Sequence, residues 1–286
     1  MWTRLILGSW RNFLIMNSEI YSKYEIIDAH AHIFPDKIAE AATSSTGTFY
    51  DLPMDSCGTS ERLIQGGSKI GVSHYLVCSA ATKPNQIESI NAFIAKECEI
   101  HKCFVGFGTT HPDSDNIAGD IKQILDLGLH GVKLHPDFQK FDMDSPGAYK
   151  IYEQLEGVMP VLIHCGDNRY EYSAPKKVAA IHRDFPNLII FAAHLGGYQR
   201  WDEASEYLSG LGGNVKFDTS SSLPFLSHEK AVRMIRNYGV ENCFFGSDFP
   251  MWSHEDELMR FLSLGLSEEE NKLILAENFK RFFDFV

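Results

Sequence analysis

Eight short apolar runs, separated by amphipathic stretches, constrain the fold of this chain more than any other feature of its sequence. They lie at residues 26–33, 75–77, 103–107, 131–134, 161–163, 188–193, 215–217 and 243–245. Most follow one another at about 26 to 30 residues, the length of one βα repeat. Strands that are apolar along their whole length are typical of a parallel sheet covered by helices. Eight such units predict an α/β fold with a single (β/α)8 TIM barrel.

A doubly wound open sheet is the alternative arrangement of repeated βα units. Such a sheet would be expected to carry a glycine-rich phosphate-binding turn after an early strand. This chain has the sequence Asp28-Ala29-His30 at that point instead. We therefore expect the closed barrel.

The segments between the runs have the periodicity of amphipathic helices. One predicted helical face carries Ile117, Ile121, Ile124 and Leu125, and Gly128 is placed to end that helix. Near the carboxyl end, the residues at 267–270 form the pattern of a capping box. Helices of this kind would cover the outside of the barrel.

The first residues of the chain do not follow the βα pattern. Residues 1–24 contain a short apolar run that Gly8 and Arg11 interrupt, too short for a signal peptide or a membrane span. We interpret residues 1–24 as an N-terminal extension, with Met16 as a candidate natural start, and residues 25–286 as the barrel domain. No later segment is apolar enough to cross a bilayer, so we expect no membrane partner.

The balance of charges argues against nucleic acid as a partner. The chain has 26 Lys and Arg against 38 Asp and Glu, a formal net charge of −12. A surface of this sign repels phosphate backbones, and no basic patch offsets it. Six cysteines without close spacing are typical of reduced thiols in a cytoplasmic protein. A homo-oligomer is compatible with the sequence, which indicates no particular interface.

Residues that bind metal ions end several of the predicted strands. His30 and His32 end the first strand, His164 the fifth, His194 the sixth and Asp248 the eighth. A barrel brings the carboxyl ends of all its strands to one rim, where the active sites of such enzymes lie. Two histidines that are two residues apart in a strand project to the same side. The sequence therefore predicts a metal site at this rim.

The residue types indicate which chemistry this site could perform. His30, His32, His164 and Asp248 would supply three imidazoles and one carboxylate. This set suits Zn²⁺, with Mn²⁺ or Fe²⁺ as alternatives, and leaves a position for water. Such an ion can lower the pKa of a bound water to about 7. Asp248 could also accept a proton from that water, while His194 would act as a second acid or base.

Apart from His135, the other histidines are predicted to be structural or solvated, because they lie at strand starts, on helices or in loops. They are His74, His101, His111, His130, His182, His228 and His254. His111 ends the third predicted strand, but Pro112 and Asp113 favour a loop there.

Six motifs together resemble the amidohydrolase superfamily. They are DAHAHIFP at 28–35, GVKLHP at 131–136, VLIHCGD at 161–167, AAHLGG at 192–197, FGSDFP at 245–250 and ENFKRFF at 277–283. The resemblance is to the amidohydrolase-related branch, which includes aminocarboxymuconate semialdehyde decarboxylase, resorcylate-type decarboxylases and several lactonases. It implies a metal-dependent enzyme whose ligands are His30, His32, His164 and Asp248. His194 would be a catalytic residue that does not bind the ion.

The same resemblance raises the question of a second metal ion. Lys133 lies where two-metal members of the superfamily carry a carboxylated bridging lysine. Here Lys133 stands in the KLHP motif, on the same strand face as His135, and the branch resembled is usually mononuclear. We expect one ion rather than two, with Lys133 as the candidate bridge in the other case.

Several residues near the rim are candidates for contact with a substrate. Arg169 could bind a substrate carboxylate through its planar fork, or it could pair with Asp167 or Glu171. Tyr172 could stack on a ring or pack against its neighbours, and His135 is a third candidate. An insertion at residues 34–58 is either a lid over the mouth or a solvated loop.

The sequence thus predicts a metal-dependent hydrolase acting on a small carboxylated lactone, amide or ring-derived acid. The alternative reaction is non-oxidative decarboxylation of a small unsaturated or aromatic acid, since the branch holds both kinds of enzyme. A related nuclease is disfavoured by the net charge and by the absence of a metal-bridging Glu on the fourth strand. A barrel that only binds a metabolite would be expected to lack a ligand, and none of the expected ligands is missing.

Overall fold

The computed structural model describes residues 23–284, in which a ring of parallel strands is surrounded by helices. The strands are β1 Ile26–His32, β2 Val72–Cys78, β3 Phe104–Gly106, β4 Gly108–Thr109, β5 Val132–Leu134, β6 Val161–Ile163, β7 Ile190–Ala192, β8 Val215–Asp218 and β9 Cys243–Phe244. They form two sheets in sequential order, β1 to β3 and β4 to β9, with every pair parallel.

One residue, Phe107, separates the two sheets. Its backbone N–H donates to the carbonyl oxygen of Val77 on β2 at 2.9 Å, and the N–H of Gly108 donates to Gly131 before β5 at 2.9 Å. β3 and β4 are therefore two halves of one barrel strand that changes partner at Phe107. Counted in this way, the barrel has the eight strands that the sequence predicted.

The barrel closes between the segment after β9 and β1. The N–H of Ala29 donates to the carbonyl oxygen of Phe245 at 2.8 Å, and that of His32 donates to Phe249 at 2.7 Å. Ala31 and Phe249 also form a parallel bridge. The predicted TIM-barrel architecture is confirmed.

The helices lie between successive strands and after the last strand. They are α1 Asp36–Tyr50, α2 Ser60–Ser68, α3 Ile87–Ile100, α4 Ile117–Asp126, α5 Pro136–Gln139, α6 Pro146–Leu155, α7 Pro175–Asp184, α8 Trp201–Leu208, α9 His228–Tyr238, α10 His254–Leu262, α11 Glu268–Lys272 and α12 Asn278–Phe282. Ser267 and Glu270 form the predicted capping box at the start of α11. Across residues 23–284, no helix has the length and apolar character needed to span a membrane.

Apolar side chains form two clusters, one inside the barrel and one between the strands and the helices. Along β1, Ile27 and Ala29 belong to the inner cluster, whereas Ala31 and Ile33 belong to the outer cluster. The alternation of inward-facing and outward-facing side chains is therefore interrupted between Ala29 and Ala31, where the register with β2 is also irregular. Such a β-bulge turns the following side chains to the other face. It directs His30 toward the inside of the barrel mouth.

Two sequence expectations need correction and one cannot be compared. Leu125 does not share the buried face of α4, since 48% of it is exposed while Ile124 is fully buried. The insertion at 34–58 is not a solvated loop, because most of it forms α1. The interpretation of residues 1–24 as an extension falls almost entirely outside the described residues.

The two neighbouring residues of α4 give a test of this packing. Ile124 packs on Gly108 of β4, so that a Cβ on the glycine would lie 2.7 Å from Ile124 Cγ1. We expect Ile124→Ala to lower the free energy of unfolding by about 2 to 5 kcal/mol. Leu125→Ala, the matched control, should change it by about 0.5 kcal/mol or less. If urea denaturation showed the same loss of unfolding free energy for both variants, the assignment of the buried face would be wrong.

Candidate metal centre at the mouth of the barrel

Three of the predicted ligand atoms meet at the carboxyl end of the barrel. His30 Nε2 lies 3.2 Å from His32 Nε2 and 3.7 Å from Asp248 Oδ1, and His32 Nε2 lies 3.3 Å from the same oxygen. Ligand atoms about 2.0 to 2.2 Å from one tetrahedral Zn²⁺ are roughly 3.3 Å apart. The three donor atoms therefore fit a single divalent ion.

His164 adjoins this group through His194. His164 Nδ1 lies 3.0 Å from His194 Nε2, while His164 Nε2 lies 2.7 Å from the carbonyl oxygen of Gly166. The ring of His194 in turn stacks on that of His30 with 5.1 Å between centroids. The structure thus brings all five predicted rim residues together. That His164 is the fourth ligand stays a prediction.

A buried carboxylate orients His30. Asp218, at the end of β8, has Oδ2 3.0 Å from His30 Nδ1, the ring nitrogen turned away from the other ligands. Burial alone would raise the pKa of Asp218, but His30 outweighs burial and the pKa falls to about 2. An ionised Asp218 accepts a hydrogen bond from Nδ1, which leaves the lone pair of His30 on Nε2, the nitrogen that faces the other ligand atoms.

Hydroxyl groups on the segment after β8 hold the two proposed acid–base residues. Ser220 Oγ lies 2.9 Å from His194 Nδ1. Ser221 donates its hydroxyl to Asp248 Oδ2 and accepts a hydrogen bond from the indole of Trp252 at 2.9 Å. Nδ1 of His194 and Oδ2 of Asp248 are therefore each held by a hydroxyl group, which leaves His194 Nε2 and Asp248 Oδ1 to face the other histidines.

Three residues of the site have strained backbone conformations. His194, Ser221 and Asp248 have φ angles of 62°, 49° and 56°, in the left-handed region that residues with side chains rarely adopt. Conformations of this kind cluster at functional sites, where the surrounding structure compensates their cost. They turn the side chains at the ends of β7 and β9 toward the barrel axis.

Burial and neighbouring charges set the protonation states of these groups. Burial lowers the pKa of His194 to about 4, so its ring is neutral at pH 7. Burial and the adjacent Lys133 also lower the pKa of His30. Burial works to raise the pKa of Asp248, but the surrounding histidines hold it well below its usual range. Neutral imidazole and ionised carboxylate are the forms that bind a divalent cation.

Lys133 and His135 occupy different surroundings within the site. Lys133 is fully buried, with Nζ 3.0 Å from His30 Nε2. His135 stacks on His164 at 4.0 Å between centroids, and its Nε2 bonds the hydroxyl of Tyr50 at 2.9 Å. The roles of Lys133 as a bridge between two ions and of His135 in substrate binding stay predictions.

The side chain of Arg169 forms an ion pair with another residue of the chain. It holds Asp167 through both arms of its fork, at 2.9 and 2.6 Å. This is the ion pair that the sequence left open as the alternative to a substrate carboxylate. Tyr172 is half-buried and stacks on Tyr170 at 6.0 Å. The substrate-binding roles of Arg169 and Tyr172 stay predictions.

Sequence reasoning missed several residues that shape this site. Asp28 accepts hydrogen bonds from Ser247 and His254, and so ties β1 to the turn after β9. Its position in the first motif could have signalled this role. Cys78, whose sulfur lies 3.7 Å from His32 Nδ1, also ends a strand, β2. Tyr50 lies in the insertion at 34–58 that the sequence offered as a candidate lid, but no local pattern indicates its contact with His135.

A family model that matches nearly the whole chain identifies its family. A family model described as Amidohydrolase matches residues 27–285. The chain therefore belongs to the amidohydrolase family, as its motifs predicted, and it is an enzyme of the amidohydrolase superfamily. A comparison with curated proteins gives no significant match.

Solved structures with this fold are distant in sequence. A TIM-barrel protein from Bordetella bronchiseptica is 16% identical, with a TM-score of 0.72 over 91% of this chain and 98% of that chain. A 5-carboxyvanillate decarboxylase from Novosphingobium aromaticivorans, with bound manganese, is 17% identical, with a TM-score of 0.70 over 92% and 97%. A protein from Pseudomonas putida, designated a candidate 2-pyrone-4,6-dicarboxylic acid hydrolase, is 18% identical, with a TM-score of 0.65 over 91% and 98%. At these identities the likeness shows the fold alone.

The protonation of His32 leads to a prediction about metal binding. Burial would lower the pKa of His32, but Cys78 and Asp248 outweigh burial and raise it to about 9. Below this pH the ring holds a proton that an entering ion must displace. We expect Zn²⁺ binding to release about one proton, and its affinity to rise roughly tenfold per pH unit from pH 6 to 8.

Calorimetry in two buffers of different ionisation enthalpy measures the released proton, and competition with a chelator measures the affinity. His228→Gln, on the exposed surface of α9, is the matched control and should leave both quantities unchanged. Zn²⁺ affinity that does not vary with pH over this range would contradict the prediction.

Proposed function

We propose that this protein is a metal-dependent hydrolase of a small carboxylated lactone, amide or ring-derived acid. The observation that carries the proposal is the meeting of His30 Nε2, His32 Nε2 and Asp248 Oδ1 within 3.2 to 3.7 Å of one another. We propose Zn²⁺ as the ion, with Mn²⁺ or Fe²⁺ as alternatives, and one ion rather than two. When bound, it would supply Lewis-acid activation of a water or of a carbonyl oxygen.

The protonation states of two residues support hydrolysis. His194 Nδ1 lies 4.0 Å from Asp248 Oδ2, and at neutral pH the imidazole is neutral and the carboxylate is ionised. Both groups are thus ready to accept a proton. Hydrolysis requires a base that takes a proton from the attacking water and returns it to the leaving group. We assign the uptake of this proton to Asp248. His194 would then accept the proton from Asp248 and pass it to the leaving group.

Aromatic side chains around the histidines favour a ring-shaped substrate. Tyr198 lies 6.2 Å from the ring of His164 and 6.1 Å from that of His194, and it contacts Tyr50 edge to face at 5.4 Å. Phe138 stacks on His135 at 3.8 Å. Planar rings pack well against walls of this kind. We therefore propose a small-molecule substrate, with neither nucleic acid nor membrane as a partner.

Non-oxidative decarboxylation of a small unsaturated or aromatic acid is the second candidate reaction. Its support is the shared fold with a protein named as a 5-carboxyvanillate decarboxylase, together with the aromatic walls. This reaction needs a proton donor for the carbon that loses CO₂. The resting states of His194 and Asp248 place no proton on either group, which favours hydrolysis.

One assay distinguishes the two reactions. The protein loaded with Zn²⁺ or Mn²⁺ is incubated with matched lactones, amides and aromatic carboxylic acids, while ring-opened or deamidated products and CO₂ are measured in parallel. We expect hydrolysis products without CO₂. Release of CO₂ with no hydrolysis product would replace the first proposal by the second. Protein that retains no divalent metal would contradict both.

Substitution of the acid–base pair separates metal binding from proton transfer. We expect His194→Gln to keep its metal and to lower kcat by about 10² to 10⁴-fold, because the group that moves the proton is lost. Asp248→Asn should lower both kcat and the metal content. His228→Gln serves as the control and should have the kcat and the metal content of the unmodified protein. A His194→Gln variant with full activity would remove His194 from the mechanism.

A further inference from the structure

Most of the histidine cluster is buried in this structure, while His32 keeps 18% of its side chain exposed. His30 is fully buried, and His164 and His194 are 2% and 3% exposed. The end of α1 lies over them, because the hydroxyl of Tyr50 bonds His135 at 2.9 Å and its ring is 6.2 Å from that of His164. A substrate can lie against His135 and His164 only if part of this cover moves.

The insertion that carries this cover is firmly attached at its base. After α1 the chain returns to the barrel, where the N–H groups of Asp55 and Ser56 both donate to the carbonyl oxygen of Pro250, at 3.1 and 3.2 Å. Within α1 itself, the buried residues of its fifteen are Ala39, Thr43 and Gly47, all small. A helix that buries so little apolar surface is weakly held by packing.

Arg169 contacts the carboxyl end of α1. Its Nη1 donates to the carbonyl oxygen of Phe49 at 2.5 Å, and its guanidinium lies 4.6 Å from the centre of the Phe49 ring and 5.6 Å from that of Tyr50. The fork is held by Asp167, which is 1% exposed. A carboxylate buried to this degree requires its cation. Arg169 is therefore fixed on the barrel side and reaches across to α1.

We propose that Phe49 and Tyr50 form a gate over the barrel mouth and that Arg169 is the positioning residue that holds this gate closed. Opening breaks the bonds from Arg169 to Phe49 and from Tyr50 to His135, and water can replace both. The base at Pro250 and the pair with Asp167 stay in place. The gate controls access whichever reaction the site performs.

The thiol of Cys78 reports on access through this gate. Cys78 is fully buried, belongs to the inner cluster and lies beside His32 below the mouth. The purified full-length protein is treated with iodoacetamide, and alkylation of each cysteine is followed by peptide mass spectrometry. We expect Arg169→Gln to accelerate alkylation of Cys78 at least tenfold. Phe49→Ala should do the same while leaving the pair of Arg169 with Asp167 intact.

Two controls separate gate opening from general loosening. Cys243 is also fully buried but belongs to the outer cluster, so its alkylation in the same samples should not change. Arg200→Gln removes another arginine that bonds Tyr170 and Glu171, and it should leave Cys78 protected. Unchanged Cys78 rates in both gate variants would overturn the proposal. Equal acceleration of Cys78 and Cys243 would also overturn it.

Discussion

Closure of the barrel between its first and last strands is the constraint on which the candidate metal centre depends. The N–H of Asp248 donates to the carbonyl oxygen of His30 at 2.8 Å, and the N–H of His32 donates to Phe249 at 2.7 Å. These two bonds set the backbones of the ligand residues side by side, although the residues come from opposite ends of the chain. The donor atoms are consequently held together by the rigid strand ends rather than by mobile loops.

Such a concentration of buried polar groups is stable only if each is paired, since unpaired polar groups are costly in a medium of low dielectric constant. Asp218 pairs with His30, Asp28 with His254, and Asp248 accepts the hydroxyl of Ser221. The same contacts set the chemistry. The ionised carboxylates and the neutral rings of His30 and His194 suit both a cation and a proton transfer, whereas His32 must first lose its proton.

The sequence allowed two interpretations for Arg169 and for the insertion at 34–58, and the structure connects them. Arg169 is paired with Asp167 and also bonds the end of α1. The guanidinium of Arg169 thus joins the end of α1, which covers the mouth, to the barrel. If Phe49 and Tyr50 act as the proposed gate, movement of this cover exposes the buried histidines beneath it.

The sequence by itself determined the eight strands, the helices between them and the five residues that meet at the mouth. It could do so because strand and helix periodicity are local, and because a barrel brings every strand end to one rim. It failed for Leu125, whose exposure depends on how α4 rotates on the barrel. Only the tertiary structure decided that a bulge in β1 turns His30 inward, that Cys78 lies beside His32, and that Tyr50 covers His135. These features arise from contacts between segments far apart in the chain, which no local pattern of residues encodes.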